Sequence, residues 1–235
     1  MTLELPKPVP ALLAPGSLPS RSDPIELHTL QGVHLFLGQQ RQGSRPGHPG
    51  LRQFARHVGE AYRNAALDDP WADWKLIQVE EALERSALEL SQLDGRLAER
   101  LAQCPVRPAD EPCLSPTRIA FQFASPYGYL GARLLQQYDA YVRRLVHARH
   151  AALLTRDQLS RWIREGRRRV IRAWLSAMGY RAMGVARRDL DPMTSLAAKA
   201  ALRMGELPPE IADGSKRAAH APTIMGRGRA GTRID

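Results

Sequence analysis

The chain is predicted to be mainly α with a short β element: a helical bundle joined to a strand–helix–helix unit. Three observations carry this prediction. Residues 51–67, 70–103, 126–154 and 156–178 repeat apolar side chains at helical spacing. Capping residues and prolines punctuate those runs at Asp69–Pro70, Ser125–Pro126 and Thr155. Among them stands one alternating stretch, TRIAFQF at residues 117–123, with Ile119, Phe121 and Phe123 on one face and Arg118, Ala120 and Gln122 on the other.

Hydrophobic residues make up 43% of the 235 positions, enough to furnish a core. No run approaches the roughly 18 apolar residues of a membrane helix. The proline-broken start MTLELPKPVPALLAPGSLPSRSD lacks the plan of a secretory signal, so a cytoplasmic protein with no membrane partner is expected. Cys104 and Cys113 flank the proline-rich joint CPVRPADEPC, and without a neighbouring histidine they make neither a disulfide framework nor a zinc site.

In chain order, residues 1–24 carry six prolines, which block continuous helix or central strand and predict a disordered arm. Residues 25–112 form a helical N-terminal region. It opens with IELHTLQGVHLFLG at 25–38, which fits either a strand or a short helix, and continues through the loop QQRQGSRPGHPG. Leu51, Phe54, Ala55, Val58 and Tyr62 define the next helix. Asp68 and Asp69 before Pro70 then cap a long amphipathic helix with Leu76, Leu83, Leu90 and Leu97 seven apart. The intervening positions Val79, Ser86, Leu93 and Arg100 supply only half a coiled-coil seam, and an acidic, proline-interrupted stretch precedes them, so these leucines belong to a helical hairpin in a bundle.

Residues 113–213 are read as the DNA-binding and dimerisation region. After TRIAFQF, Ser125 and Pro126 open a helix whose stripe includes Leu134, Leu135, Tyr138, Tyr141, Val142 and Leu145. Thr155 and Gln158 fit a capping box for the next helix, in which Leu159, Trp162, Ile163, Val170, Trp174 and Met178 face inward before Gly179. Residues 214–235 are expected to be a disordered basic tail.

Charge is distributed unevenly along this plan. The net charge is +10, and residues 118–188 hold 15 arginines against 3 acidic residues, while residues 1–117 hold 12 basic residues against 15 acidic ones. Arginine pairs bidentately with phosphate and with guanine edges, so an anionic polymer is the first partner to consider; a solvated helical surface is the bland alternative.

Strand, helix, capped turn, helix is the chain order of a ribbon-helix-helix unit, in which the strand pairs with its two-fold mate and the ribbon enters the major groove of double-stranded DNA. On that reading Arg118, Ala120 and Gln122 meet base edges in a homodimer. Phosphates meet the first-turn amides near Thr155, together with Arg156, Arg161, Arg164, Arg167 and Arg168. The competing reading pairs TRIAFQF with residues 25–37 of the same chain.

The stretches DDPWADWKLIQVEEAL, FASPYGYLGARLLQQYDAYVRRLVHARHAALLTRD and RMGELPPEIADGSKRAAHAP resemble a family of proteins encoded on integrating conjugative elements, related to the AcaB-like transcriptional regulators of conjugative plasmids. The resemblance covers roughly residues 25–222. It implies mobile-element biology and a dimeric ribbon-helix-helix regulator, although the large acidic N-terminal half and the length of the helix after TRIAFQF have no counterpart in a minimal unit of that kind.

Catalysis is not expected. His147 and His150 sit beside Asp139 and Tyr141, but no HExxH, CxxC or carboxylate pair completes a metal site. Asp139 and Arg143 are spaced as a helix ion pair. Tyr138 and Tyr141 fall on the apolar stripe, and Gly128 and Gly131 read as a close helix-packing pair. No cofactor, metal or small-molecule substrate is implied, and a helical scaffold protein assisting conjugative transfer is the alternative function.

Overall fold

The computed structural model describes residues 24–43, 47–102 and 116–225. The joint CPVRPADEPC, nearly all of the proline-rich arm and the glycine-arginine end lie outside them. The order is β1 (Ile25–Leu27), α1 (Leu30–Leu37), α2 (Leu51–Ala65), α3 (Pro70–Ala102), β2 (Thr117–Ile119), α4 (Pro126–His150) and α5 (Arg156–Leu175). A 3-10 turn at Arg187–Asp189, α6 (Ser195–Met204) and α7 (Pro209–Ala212) complete it. No helix among the described residues is long and apolar enough to cross a membrane.

α3 is the spine. Its 33 residues extend about 50 Å at 1.5 Å per residue. Asp69 starts it as foreseen, accepting hydrogen bonds from the amides of Trp71 (2.9 Å) and Ala72 (3.1 Å). Leu76, Leu83, Leu90 and Leu97 are all buried within this chain, as are Val79, Ser86 and Leu93 between them. The leucine heptads therefore serve a bundle with α2, α4 and α5 packed around them.

Small residues let those helices approach. A Cβ on Gly131 of α4 would lie 2.5 Å from the Phe54 ring of α2, and one on Gly166 of α5 would lie 3.0 Å from the Tyr141 ring. Gly128 instead receives Phe123, the last aromatic of TRIAFQF. Tyr138 and Tyr141 are fully buried, as their place on the stripe predicts. Ser125 has the extended backbone of a cap but makes no capping side-chain bond. The Thr155–Gln158 capping box is complete in both directions (3.2 and 2.9 Å).

The strand finds its partner inside the chain. β2 pairs antiparallel with β1, Ile25 opposite Ile119, Glu26 opposite Arg118 and Leu27 opposite Thr117. This is the intrachain alternative, and it corrects the expectation that TRIAFQF makes its ribbon with a two-fold mate. The reason lies at residue 139. Asp139, expected to pair with Arg143, is buried in the middle of α4 and instead accepts from the amides of His28 (2.7 Å) and Thr29 (3.0 Å) and from the Thr29 hydroxyl (2.6 Å). Thr29 in turn caps α1 through the Gly32 amide. A buried carboxylate thus pins the β1–α1 corner against α4, which aligns β1 beside β2. Ile25 and Leu27 turn into the core, so the stretch 25–38 is strand and helix in succession.

The C-terminal segment also departs from expectation. Of the region read as a disordered tail, residues 214–225 are packed. Arg217 grips the fully buried Asp73 with two parallel bonds (2.8 and 2.9 Å), and Arg187 donates to the same carboxylate at 2.6 Å. The amides of Ala219 and His220 donate to Glu80, and that of Met225 to the Ala66 carbonyl. The segment is ordered because its donors, the Arg217 guanidinium and the amides of Ala219 and His220, meet Asp73 and Glu80, acids about 140 residues earlier.

Candidate nucleic-acid interface

Folding brings the acidic half of the sequence against the basic half, and part of the arginine excess is consumed there. Glu89 of α3 receives Arg172 and, at 3.3 Å, Arg169; Asp94 receives Arg144; Glu165 takes Arg169 at 3.0 Å. Arg187 is held by Asp68 and Asp73, both carboxylates keeping its charge in place despite burial. These arginines are bundle cement, which sequence reading of the charge run does not reveal because their partners are distant in the chain.

What remains defines a surface. Along α5, Arg161, Arg164 and Arg168 are exposed at spacings of three and four residues, so they share one arc of the helix, and none has an ion-pair partner among the described residues. Arg156 is exposed at the start of the same helix. The opposite arc, with Gly166, Val170, Ala173 and Trp174, is sealed in the core. α5 therefore offers a rigid stripe of guanidinium groups at fixed pitch. Thr155 spends its hydroxyl on the Gln158 amide, so its part at this end is to fix the helix start.

Arg167 is set apart from the stripe. It points toward the loop after α1, donating to His48 Nε2 at 2.6 Å and to Gln39 Oε1 at 3.3 Å. Burial, with the nearby guanidinium assisting, holds the His48 imidazole below its ordinary value, which favours the neutral ring. Its Nδ1–H donates to the Pro49 carbonyl at 3.1 Å, leaving Nε2 free to accept from Arg167. Gln39 and His48, read only as loop, exchange two backbone hydrogen bonds (3.0 and 2.9 Å) that position both side chains.

On the ribbon, Arg118, Ala120 and Gln122 are exposed. Ala120 and Gln122 follow the strand proper, which ends at Ile119. Arg118 donates to Glu26 at 2.8 Å across the strands. Phe121 and Phe123 lie inward, with Phe121 edge-on to Phe36 and the Arg52 guanidinium 5.7 Å over its ring. Among the described residues, no group of histidines, cysteines and carboxylates forms a metal-binding cluster.

The described residues thus combine a mostly helical bundle, a short two-stranded ribbon and a basic stripe on one helix. Residues 14–225 match the family model described as "Transcriptional regulator AcaB", and this chain belongs to that family of transcriptional regulators. No curated protein and no solved structure matches the chain.

Proposed function

We propose that this transcriptional regulator acts by binding double-stranded DNA, in the setting of an integrating conjugative element. The observation that carries the reading is the stripe Arg161, Arg164 and Arg168 on α5, exposed and without ion-pair partners among the described residues. Surface arginines not engaged in ion pairs are free to release the counterions of a phosphate backbone. Arg156 and the helix start fixed by Thr155 extend the phosphate-facing surface, and Arg167 supports it from the side.

Base reading is assigned to the ribbon. Arg118 presents donors suited to guanine O6 and N7, Gln122 suits adenine, and Ala120 leaves room for a thymine methyl. Because both strands come from one chain, Glu26 stands beside Arg118 and adds an acceptor suited to cytosine N4. A homodimer is proposed on one feature: β2 is paired along β1 alone, so its other edge can accept a second copy.

Binding of labelled duplex from the protein's own upstream region, against scrambled duplex, tests the reading. Preference for the upstream duplex, falling steeply with salt, is expected. Equal and salt-insensitive retention of both would remove DNA as the ligand and favour a protein partner.

A further inference from the structure

Between α1 and α5 lies a cavity of 420 Å³, within the usual size range of small-molecule sites. Its walls carry Arg164, Arg167, His34, His48, Gln31 and Gln39, and its apolar part is formed by Leu37, Tyr138 and Ile163. No aspartate or glutamate lines it. The nearest buried carboxylate in sequence, Asp139, has its oxygens occupied by His28 and Thr29.

Arg167 is the group that gives this cavity a preference. It is half-buried and its two side-chain partners, His48 and Gln39, are neutral acceptors on one terminal nitrogen, Nη2. The positive charge is thereby oriented without being neutralised, and its Nε and Nη1 donors remain for a ligand. Arg164, one turn earlier on α5, adds a second guanidinium that also has no acidic partner among the described residues. Two arginines facing a cavity free of acids favour a doubly charged oxyanion, and bidentate geometry favours phosphate. The apolar wall calls for a body attached to that phosphate.

We propose that this cavity is a binding site for a small phosphate monoester of the nucleotide type, with the phosphate held between Arg164 and Arg167 and the remainder against Tyr138 and Ile163. The inference goes beyond DNA binding and does not require it. Arg164 belongs both to the cavity and to the stripe on α5, so an occupant would draw that arginine away from a duplex and make the site an effector pocket.

The test is calorimetric titration of the full chain, without DNA, with adenosine 5′-monophosphate, inorganic phosphate and adenosine. Binding of the monophosphate, weaker binding of phosphate and none of adenosine are expected. Arg167→Gln should weaken the monophosphate about tenfold or more, the loss of one charge-assisted contact. Leu37→Trp, at an exposed position on the cavity rim, should obstruct the same titration without touching the core. Absence of binding by both phosphate probes, or indifference of the monophosphate to both substitutions with circular dichroism unchanged, overturns the proposal. A parallel duplex titration separates the other source of phosphate: if Arg167→Gln weakens duplex as much as it weakens the monophosphate, the cavity receives a DNA backbone phosphate and the effector reading falls.

Discussion

Arg118 Nε donates to Glu26 Oε1 at 2.8 Å, joining the two strands of the ribbon on their solvent face. The side chains are 69% and 40% exposed, so the pair contributes at most about 1 kcal/mol to folding. Its value for the reading proposed above is positional, because it holds a donor and an acceptor side by side. Arg118→Ala should leave the melting temperature within a degree or two of the parent. It should cost about tenfold to a hundredfold at the cognate duplex, with much less loss on random sequence, as expected for one bidentate base contact. An equal loss on both duplexes would make Arg118 a phosphate contact instead.

The stripe on α5 is expected to act through charge alone. Reversing Arg161, Arg164 and Arg168 to glutamate should weaken all duplexes alike. Each lost phosphate contact should reduce the slope of log affinity against log salt by about 0.9. The helix has its buried face elsewhere, so circular dichroism should be unchanged. A salt slope identical to the parent's would move the phosphate surface off α5.

Asp73 is fully buried and is shared by Arg187 and Arg217. Asp73→Ala leaves Arg217 without its carboxylate and Arg187 with Asp68 alone, a change that costs about 3–5 kcal/mol for a broken buried pair. The C-terminal segment that those arginines anchor should become the first point of proteolysis. Limited digestion and chemical denaturation check this: an unchanged cleavage pattern would mean that residues 205–225 are held by other contacts.

Asp139→Ala removes the acceptor for three donors at the β1–α1 corner. The unsatisfied groups should cost about 1–3 kcal/mol. The ribbon should loosen with the corner, since β1 is registered against β2 from there. Amide exchange at residues 25–32 should rise far more than exchange in α3; uniform acceleration across the chain would indicate global destabilisation instead.

Stability should depend on pH near neutrality through two histidines. His48 and His57 are both held below the ordinary value of 6.5, chiefly by burial. The folded state therefore binds fewer protons than the unfolded state just below that value, and stability falls as pH drops through 6.5 toward the lowered folded values. Thermal melts from pH 8 to pH 6 should show the decline, and His48→Gln should flatten part of it. A melting temperature that rises on acidification over this range would contradict the burial of these rings.

Local signals were sufficient for the four long helices, α2 to α5. The caps at Asp69 and Thr155, the period of the leucines on α3 and the aromatic stripe of α4 are interactions within a few residues, so the sequence shows them directly. Membership of the strand TRIAFQF in a β pair was legible for the same reason: alternation is local. Which of its two candidate partners it takes, a two-fold mate or residues 25–37, was not, because a three-residue strand carries almost no pairing information of its own and the β1–α1 corner is held by Asp139 on α4, more than a hundred residues away.

The same division governs the charges. That residues 118–188 are rich in arginine is written in the sequence. Which arginines are spent on α3 and which stand free is decided only when Glu89 and Asp94 are laid against α5 and α4, since an ion pair depends on distance in space and not along the chain. The ordering of residues 214–225 has that cause too, their arginine and amides being matched by Asp73 and Glu80. Sequence thus determined the four long helices and the caps at Asp69 and Thr155, while tertiary structure decided the strand pairing, the ordered tail and the surviving basic stripe, because each of these rests on partners that only folding brings within a few ångströms.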